Sequence, residues 1–136
     1  MKDMHSNIKV VRAVGPAAVG TSGAANGTLS GAIDRRGYGS LEFALTRGVS
    51  ASAVDTITPV LLEADATGDS FTSVADADLL GTEAGAVMLG NAATQSKIGY
   101  RGNKRYVKLR MYGVGTATCI VAGTAILGNP SLAPVA

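Results

Sequence analysis

From Tyr106 to Tyr112 the chain alternates without a break. Val107, Leu109 and Met111 fall on one parity, and Tyr106, Lys108, Arg110 and Tyr112 on the other. Successive side chains of an extended strand point to opposite faces, so this run predicts a strand with one dry face and one wet or interfacial face. Leu41–Thr46 repeats the pattern, with Leu41, Phe43 and Leu45 in phase. No long segment carries an apolar stripe at helical spacing. A half-apolar sheet must bury its dry face against another layer, and the layer available to such a chain is a second sheet.

The remaining strand candidates are Ile8–Ala13, Leu29–Asp34, Thr56–Ala64, Lys97–Arg101 and Thr118–Leu127. The last is rich in β-branched and small residues and reads as deeply buried. Pro59 is expected to make the start of its run an edge or a bulge, because it has no N–H for a ladder. Arg36-Gly37, Arg47-Gly48, Thr67-Gly68-Asp69, Gly102-Asn103 and Gly113-Val114-Gly115 supply turn signals between the runs. Asp76–Gly81 has room for one short turn, Glu83–Leu89 reads as a packing loop, and Gly20–Gly31 as a loop or wide hairpin connection. The predicted fold is all-β: one domain over residues 1–136, a β-sandwich or jelly-roll-like barrel with long loops. Its expected core includes Leu41, Phe43, Leu45, Val107, Leu109, Met111, Ile120 and Ile126. Met1–Asn7 and Asn129–Ala136, the latter with Pro130 and Pro134, read as a flexible arm and tail that do not continue a strand.

Composition narrows function. With no Trp, two Phe and four Tyr among 136 residues, the core has to be aliphatic. The single cysteine, Cys119, forbids an internal disulfide and a cysteine-based zinc site. A secreted chain of this size more often carries disulfides, so a reducing place of synthesis is the expectation. The N-terminal residues lack the apolar stretch of a signal peptide. The longest apolar run, Thr116–Leu127, is shorter than the ~20 residues a membrane helix needs. His5 is the one histidine and lies near the terminus, away from any evident nucleophile. Cys119 sits in an apolar strand, where a thiol behaves as a small hydrophobe. Asp65, Asp69, Asp76 and Asp78 do not follow the spacing of a calcium loop. Gly37-Tyr38-Gly39 and Gly113-Val114-Gly115 precede no helix that could hold a phosphate. No enzyme, cofactor or metal is therefore expected.

Charge is segregated along the chain. Between Gly48 and Ser96 there is no Lys or Arg, and seven of the ten acids lie there: Asp55, Glu63, Asp65, Asp69, Asp76, Asp78 and Glu83. Lys97–Arg110 then holds six of the twelve basic residues. The basic segment with Tyr100, Tyr106 and Tyr112 interleaved could serve single-stranded nucleic acid. The net charge of only +2 argues against it. Subunit docking is the favoured reading, because Arg and Tyr concentrate at interface cores. In that reading Tyr100, Arg101, Lys104, Arg105 and Tyr106 on one molecule meet Asp76, Asp78 and Glu83 on a neighbour, or acids on a larger surface; the alternative is that the same charges pair within one sandwich or face water.

Four runs also carry a resemblance. They are Ile33–Phe43 (IDRRGYGSLEF), Ala75–Ala86 (ADADLLGTEAGA), Lys97–Leu109 (KIGYRGNKRYVKL), and Ala125–Pro130 (AILGNP) with Ala133-Pro134-Val135. Together they resemble small structural proteins encoded in the head-gene clusters of tailed bacteriophages and prophages. Asn129 departs from the pattern, where His would complete Gly-His-Pro. The resemblance implies a virion component made in the bacterial cytoplasm: a capsid decoration, or cement, protein that binds the major capsid protein on the outer surface of the head, as a homo-oligomer with a trimer favoured. A head-to-tail connector or tail-tube ring component is the alternative, and a nucleic-acid-binding accessory protein a distant third.

Overall fold

A computed structural model describes residues 3–19, 27–51, 55–114 and 119–133. Among these the chain forms β1 (Ile8–Val19), β2 (Thr28–Leu29), β3 (Ile33–Asp34), β4 (Tyr38–Arg47), β5 (Thr56–Ala64), β6 (Thr72–Ser73), β7 (Leu79–Leu80), β8 (Met88–Leu89), β9 (Thr94–Tyr100), β10 (Tyr106–Val114) and β11 (Cys119–Pro130). The helical content described is three single turns, at His5–Asn7, Asp76–Asp78 and Ala84–Ala86. Two antiparallel sheets result. The first runs β1-β11-β4-β9-β7; the second runs β2-β10-β5-β6, with β3 also on β10 and β8 also on β5. The all-β sandwich expected from the sequence is what forms, with no closed barrel.

The core lies between the sheets. Leu41, Phe43 and Leu45 of β4, Ile98 of β9, and Val121, Ala125 and Leu127 of β11 face Val107, Leu109 and Met111 of β10 and Ile57 and Leu61 of β5. Gly123 lets the layers close. A Cβ there would stand 2.6 Å from Leu109 Cδ2 of the opposite sheet. The glycine that interrupts the apolar run is therefore a packing requirement.

The β11 parity differs from the expectation. Ile120 is 54% exposed and Ile126 only half-buried, while Cys119, Val121, Ala125 and Leu127 point inward. Thr118–Leu127 is apolar on both parities, so alternation alone could not choose the buried set. Pairing with β4, which sets Phe43 opposite Ala125, does. β11 also continues into the predicted tail: Pro130 pairs with Tyr38, and Ser131 N–H donates to Gly37 O at 2.8 Å. An edge or terminal strand position tolerates proline.

The other differences have equally local causes. β1 runs past Ala13 to Val19 because register shifts between Arg12 and Val14 and between Val14 and Ala17 absorb Gly15 and Pro16. The predicted Leu29–Asp34 strand is split: Ser30 N–H still donates to Leu109 O at 2.8 Å, but the Ser30 hydroxyl accepts the Leu109 N–H at 2.9 Å and donates to Gly31 O at 2.7 Å, so a side chain takes the carbonyl's place in the ladder between β2 and β3. Pro59 neither bulges nor ends β5. It pairs with Met111 on one side, and between β8 and β6 the other side of β5 has no strand partner among the described residues, so Pro59 occupies the local edge expected of it. Most of the Gly20–Gly31 connection, Gly115, Thr118 and the outermost residues of the arm and tail lie outside the described residues.

Candidate docking surface

Tyr106, Lys108, Arg110 and Tyr112 leave β10 on the side away from the core and are all half-buried. The strand register surrounds them with flanking residues. Asp34 and Ala64 lie beside Tyr106, Leu62 beside Lys108, Leu29 and Val60 beside Arg110, and Thr58 beside Tyr112. Phe71, just before β6, comes under Lys108, whose Nζ is 4.0 Å from the ring centroid. Leu62 is 5% exposed although it lies outside the main core, so this outer face has its own small apolar floor. Lys108 and Arg110 make no salt bridge among the described residues. From Tyr106 to Tyr112 the row runs six residue steps along the strand, about 20 Å.

The outer face of the first sheet is plainer. Across β11, β4 and β9 the outward positions are neutral apart from Glu42 and Lys97. Burial pushes the Glu42 carboxyl up, and the Lys97 ammonium partly offsets that. An unbroken alternate row of aromatic and cationic side chains on one strand is thus a feature of β10 and not of β11, β4 or β9.

At the Tyr106 end, the turn joining β9 to β10 places the residues expected to dock. Tyr100 is 1% exposed and is no interface residue. Its hydroxyl donates to Glu63 Oε2 and accepts the Lys104 N–H at 3.0 Å, and Arg35 Cζ lies 4.6 Å from its ring centroid. Burial, reinforced by the Glu63 carboxylate, pushes the phenol up to about 12. Gly102 is required here, because a Cβ would stand 2.5 Å from the Tyr100 hydroxyl. Arg35 Nη1 donates to Gly102 O and Lys104 O, both at 2.9 Å.

The remaining expected residues are also engaged within the chain. Lys104 Nζ pairs with Asp65 at 2.6 Å, which raises the Lys104 ammonium. Arg105 binds Asp34 through Nε and Nη2 at 3.0 and 2.7 Å, holding the Asp34 carboxyl at about 2. Arg105 Cζ also covers the Tyr106 ring at 4.7 Å. Arg101 reaches the acidic loop through backbone: its Nε donates to Ala77 O at 2.8 Å and its N–H to Asp78 O at 2.9 Å. Glu83 Oε1 accepts the Leu61 N–H at 3.2 Å and so covers the bare stretch of β5, and burial pushes its carboxyl up. Asp76 and Asp78 lie on the turn beside it. The basic and acidic segments, expected to meet between molecules, touch within one. Of the eight expected residues, Tyr106 alone joins the outward row.

Sequence reasoning missed Arg47, read as part of a turn. Its guanidinium is fully buried and donates to Asp55 O at 3.3 Å, Met88 O at 3.1 Å, Ala92 O at 2.9 Å and Gly90 O. Ser50 donates its hydroxyl to the buried Asp55 carboxylate beside it. The signal was present: Leu41, Phe43, Leu45 and Arg47 share one parity, so the alternation itself points Arg47 inward. Cys119 is buried, and burial pushes its thiol up. Among the described residues no group of three or more His, Cys, Asp or Glu could hold a metal ion, and no helix is long and apolar enough to cross a membrane.

No protein-family model and no curated protein matches the sequence. Solved structures do match in fold. The CBM22-1–GH10 modules of an endo-1,4-β-D-xylanase 10B from Clostridium thermocellum, complexed with xylohexaose, align at a TM-score of 0.58 and 12% identity over 98% of this chain. This chain spans only 28% of that structure's length. Eiger TNF from S. frugiperda aligns at 0.50 and 9% identity, over 93% of this chain and 95% of its own. A cyanophage Pam1 capsid asymmetric unit aligns at 0.46 and 18% identity, over 96% and 90% of the two chains, too slight a likeness to carry an inference. At these identities the likeness is one of fold: a two-sheet β-sandwich.

Proposed function

We propose that this chain is a non-catalytic structural protein of a tailed-phage or prophage particle, a decoration protein that binds the assembled head through the outer face of the β10 sheet. The observation that carries the reading is the row Tyr106, Lys108, Arg110 and Tyr112, flanked by Leu29 and Val60, with two cations that have no salt bridge among the described residues. Half-buried aromatic and Arg side chains over an apolar floor are what an interface core contains, and the cations fit an acidic shell surface. The sequence resemblance to phage head proteins supplies the kind of partner. Its runs at Ile33–Phe43 and Lys97–Leu109 meet at Tyr100, where Arg35, Gly102 and Lys104 close one end of the sandwich.

A decoration protein adds contacts that exist only in the assembled shell. It therefore stabilises that state by mass action, as any ligand of one state does. Contacts between copies, a trimer in this reading, would let one molecule bridge several shell subunits.

The test is to add the purified chain to heads that lack it and to measure copy number and heat resistance. Decoration predicts on the order of hundreds of copies per head and a raised disruption temperature, whereas a connector ring predicts about a dozen copies or fewer. Absence of binding to any head would overturn both readings. Salt-sensitive binding to single-stranded DNA in its place would turn the function toward nucleic acid.

A further inference from the structure

Where the Arg35–Tyr38 turn meets the Gly102–Arg105 turn, a cleft of about 310 Å³ opens at the end of the sandwich. Four of its lining residues are cationic, Arg35, Arg36, Lys104 and Arg105, and none is acidic; Tyr38 and Asn103 add a hydroxyl and an amide. Two turns far apart in sequence, each joining one sheet to the other, thus line one space with cations and neutral groups. The carboxylates that approach these cations, Asp65 and Asp34, are held by Lys104 and Arg105. Arg35 and Arg36 make no salt bridge among the described residues. Arg35 is fixed by neutral partners, two carbonyls and the Tyr100 ring, and its Nε is buried without a hydrogen-bond partner. A half-buried guanidinium without a countercharge is costly to maintain.

We infer that this cleft is an oxyanion-binding site, which takes a phosphate or carboxylate group between Arg35, Arg36 and the Gly102–Arg105 turn. Guanidinium groups present paired donors in a plane that matches such anions. Arg36 is the recognising residue: its side chain is exposed, its backbone N–H donates to Asp34 Oδ1 at 2.9 Å, and the Asp34 carboxylate beside it is bound by Arg105 on both oxygens. Arg35 shapes the floor and Lys104 adds charge at the rim. The inference concerns the free chain and stands whether or not the chain decorates a head.

The full chain, labelled with nitrogen-15, is titrated at constant ionic strength with inorganic phosphate and, separately, with succinate, while the backbone amides are followed. The expected result is a saturable shift of the amides of Arg35–Tyr38 and Gly102–Arg105, with millimolar affinity, on the order of a few mM. Arg36→Gln should weaken it about fivefold or more, and Arg12→Gln, on β1, should leave it unchanged. The probe that saturates first tells phosphate from carboxylate. Shifts that never saturate, that appear equally around Lys9, Arg12 and Lys97, or that persist unweakened in Arg36→Gln would overturn the site.

Discussion

Gly123 of β11 and Leu109 of β10 touch across the two sheets so closely that a methyl group on Gly123 would stand 2.6 Å from Leu109 Cδ2. Neither residue can change alone without cost. Leu109 is fully buried, so Leu109→Ala should lose about 2–5 kcal/mol. Gly123→Ala should lose about 1–3 kcal/mol by overpacking. The double variant should lose less than the sum, because the new methyl enters the space vacated by leucine. Urea unfolding with an unchanged m-value measures all three. Strict additivity would mean that the two positions do not meet.

Arg47 should be irreplaceable by lysine. Its guanidinium serves carbonyls of Asp55, Met88, Gly90 and Ala92, tying the segment after β8 to the end of β4. An ammonium has three donors on one atom and cannot span them. Arg47→Lys should lose about 2–4 kcal/mol, since buried acceptors are left without partners. Hydrogen exchange of the Gly90 amide, which donates to Asp55 O at 3.1 Å, should quicken in step. Unchanged stability would show that the carbonyls find other donors.

Alkaline titration should single out Tyr100. Its phenol is raised to about 12 from an ordinary 10.0, so the folded state holds its proton more tightly than the unfolded chain does. That contribution to stability is complete below pH 10 and is lost as pH climbs toward 12. Ultraviolet titration should show a phenol ionising near pH 12, and Tyr100→Phe should abolish that step. Absence of that late step would refute the burial of the Tyr100 phenol against Glu63.

The Asp34–Arg105 pair works at the other end of the pH scale. Asp34 sits at about 2 against an ordinary 3.8, so its contribution is present above pH 4 and is lost as pH falls through 2. Both side chains are more than a third exposed, so solvent screening should keep the effect on stability small. Arg105→Gln should return the Asp34 carboxyl toward its ordinary value, as carbon-13 chemical shifts against pH would record. An unmoved titration would mean that Arg105 does not set it.

Legibility in the sequence followed contrast in polarity. β10 could be read in phase because apolar residues alternate there with Lys, Arg and Tyr. β11 could not, because Ile120 and Ile126 are as apolar as Val121 and Leu127. β5 was bounded correctly, and Pro59 lies where β5 has a strand partner on one side only among the described residues, the local edge that a missing N–H leads one to expect. Side-chain substitutes for the ladder, Ser30 on Leu109 and Glu83 on Leu61, depend on pairs 79 and 22 residues apart, which local patterns do not encode. The charge blocks were visible, but whether they join within a molecule or between molecules is decided by the β9–β10 turn. There Arg101, Lys104 and Arg105 find partners in their own chain.

That last point moves the docking prediction along β10. Reversing Lys104 or Arg105 to Glu would set a carboxylate against Asp65 or Asp34, so lost binding could reflect damage to the fold. Arg110 has no such entanglement: its neighbours in register are Leu29, 46% exposed, and half-buried Val60. Tyr112 stands next along the row beside Thr58. Arg110→Glu puts repulsion at the centre of the face and should mainly slow association, with an effect that fades in salt. Tyr112→Ala removes buried aromatic area and should mainly speed dissociation, at a loss of about 1–3 kcal/mol if it is an anchor. Both variants should unfold at the wild-type urea concentration, which separates docking from folding. On heads lacking the chain, occupancy should fall for Arg110→Glu and Tyr112→Ala and stay at the wild-type level for Lys97→Glu, on the outer face of the first sheet. Full occupancy by both β10 variants would place the docking surface elsewhere on the sandwich, while loss with Lys97→Glu alone would move it to the first sheet.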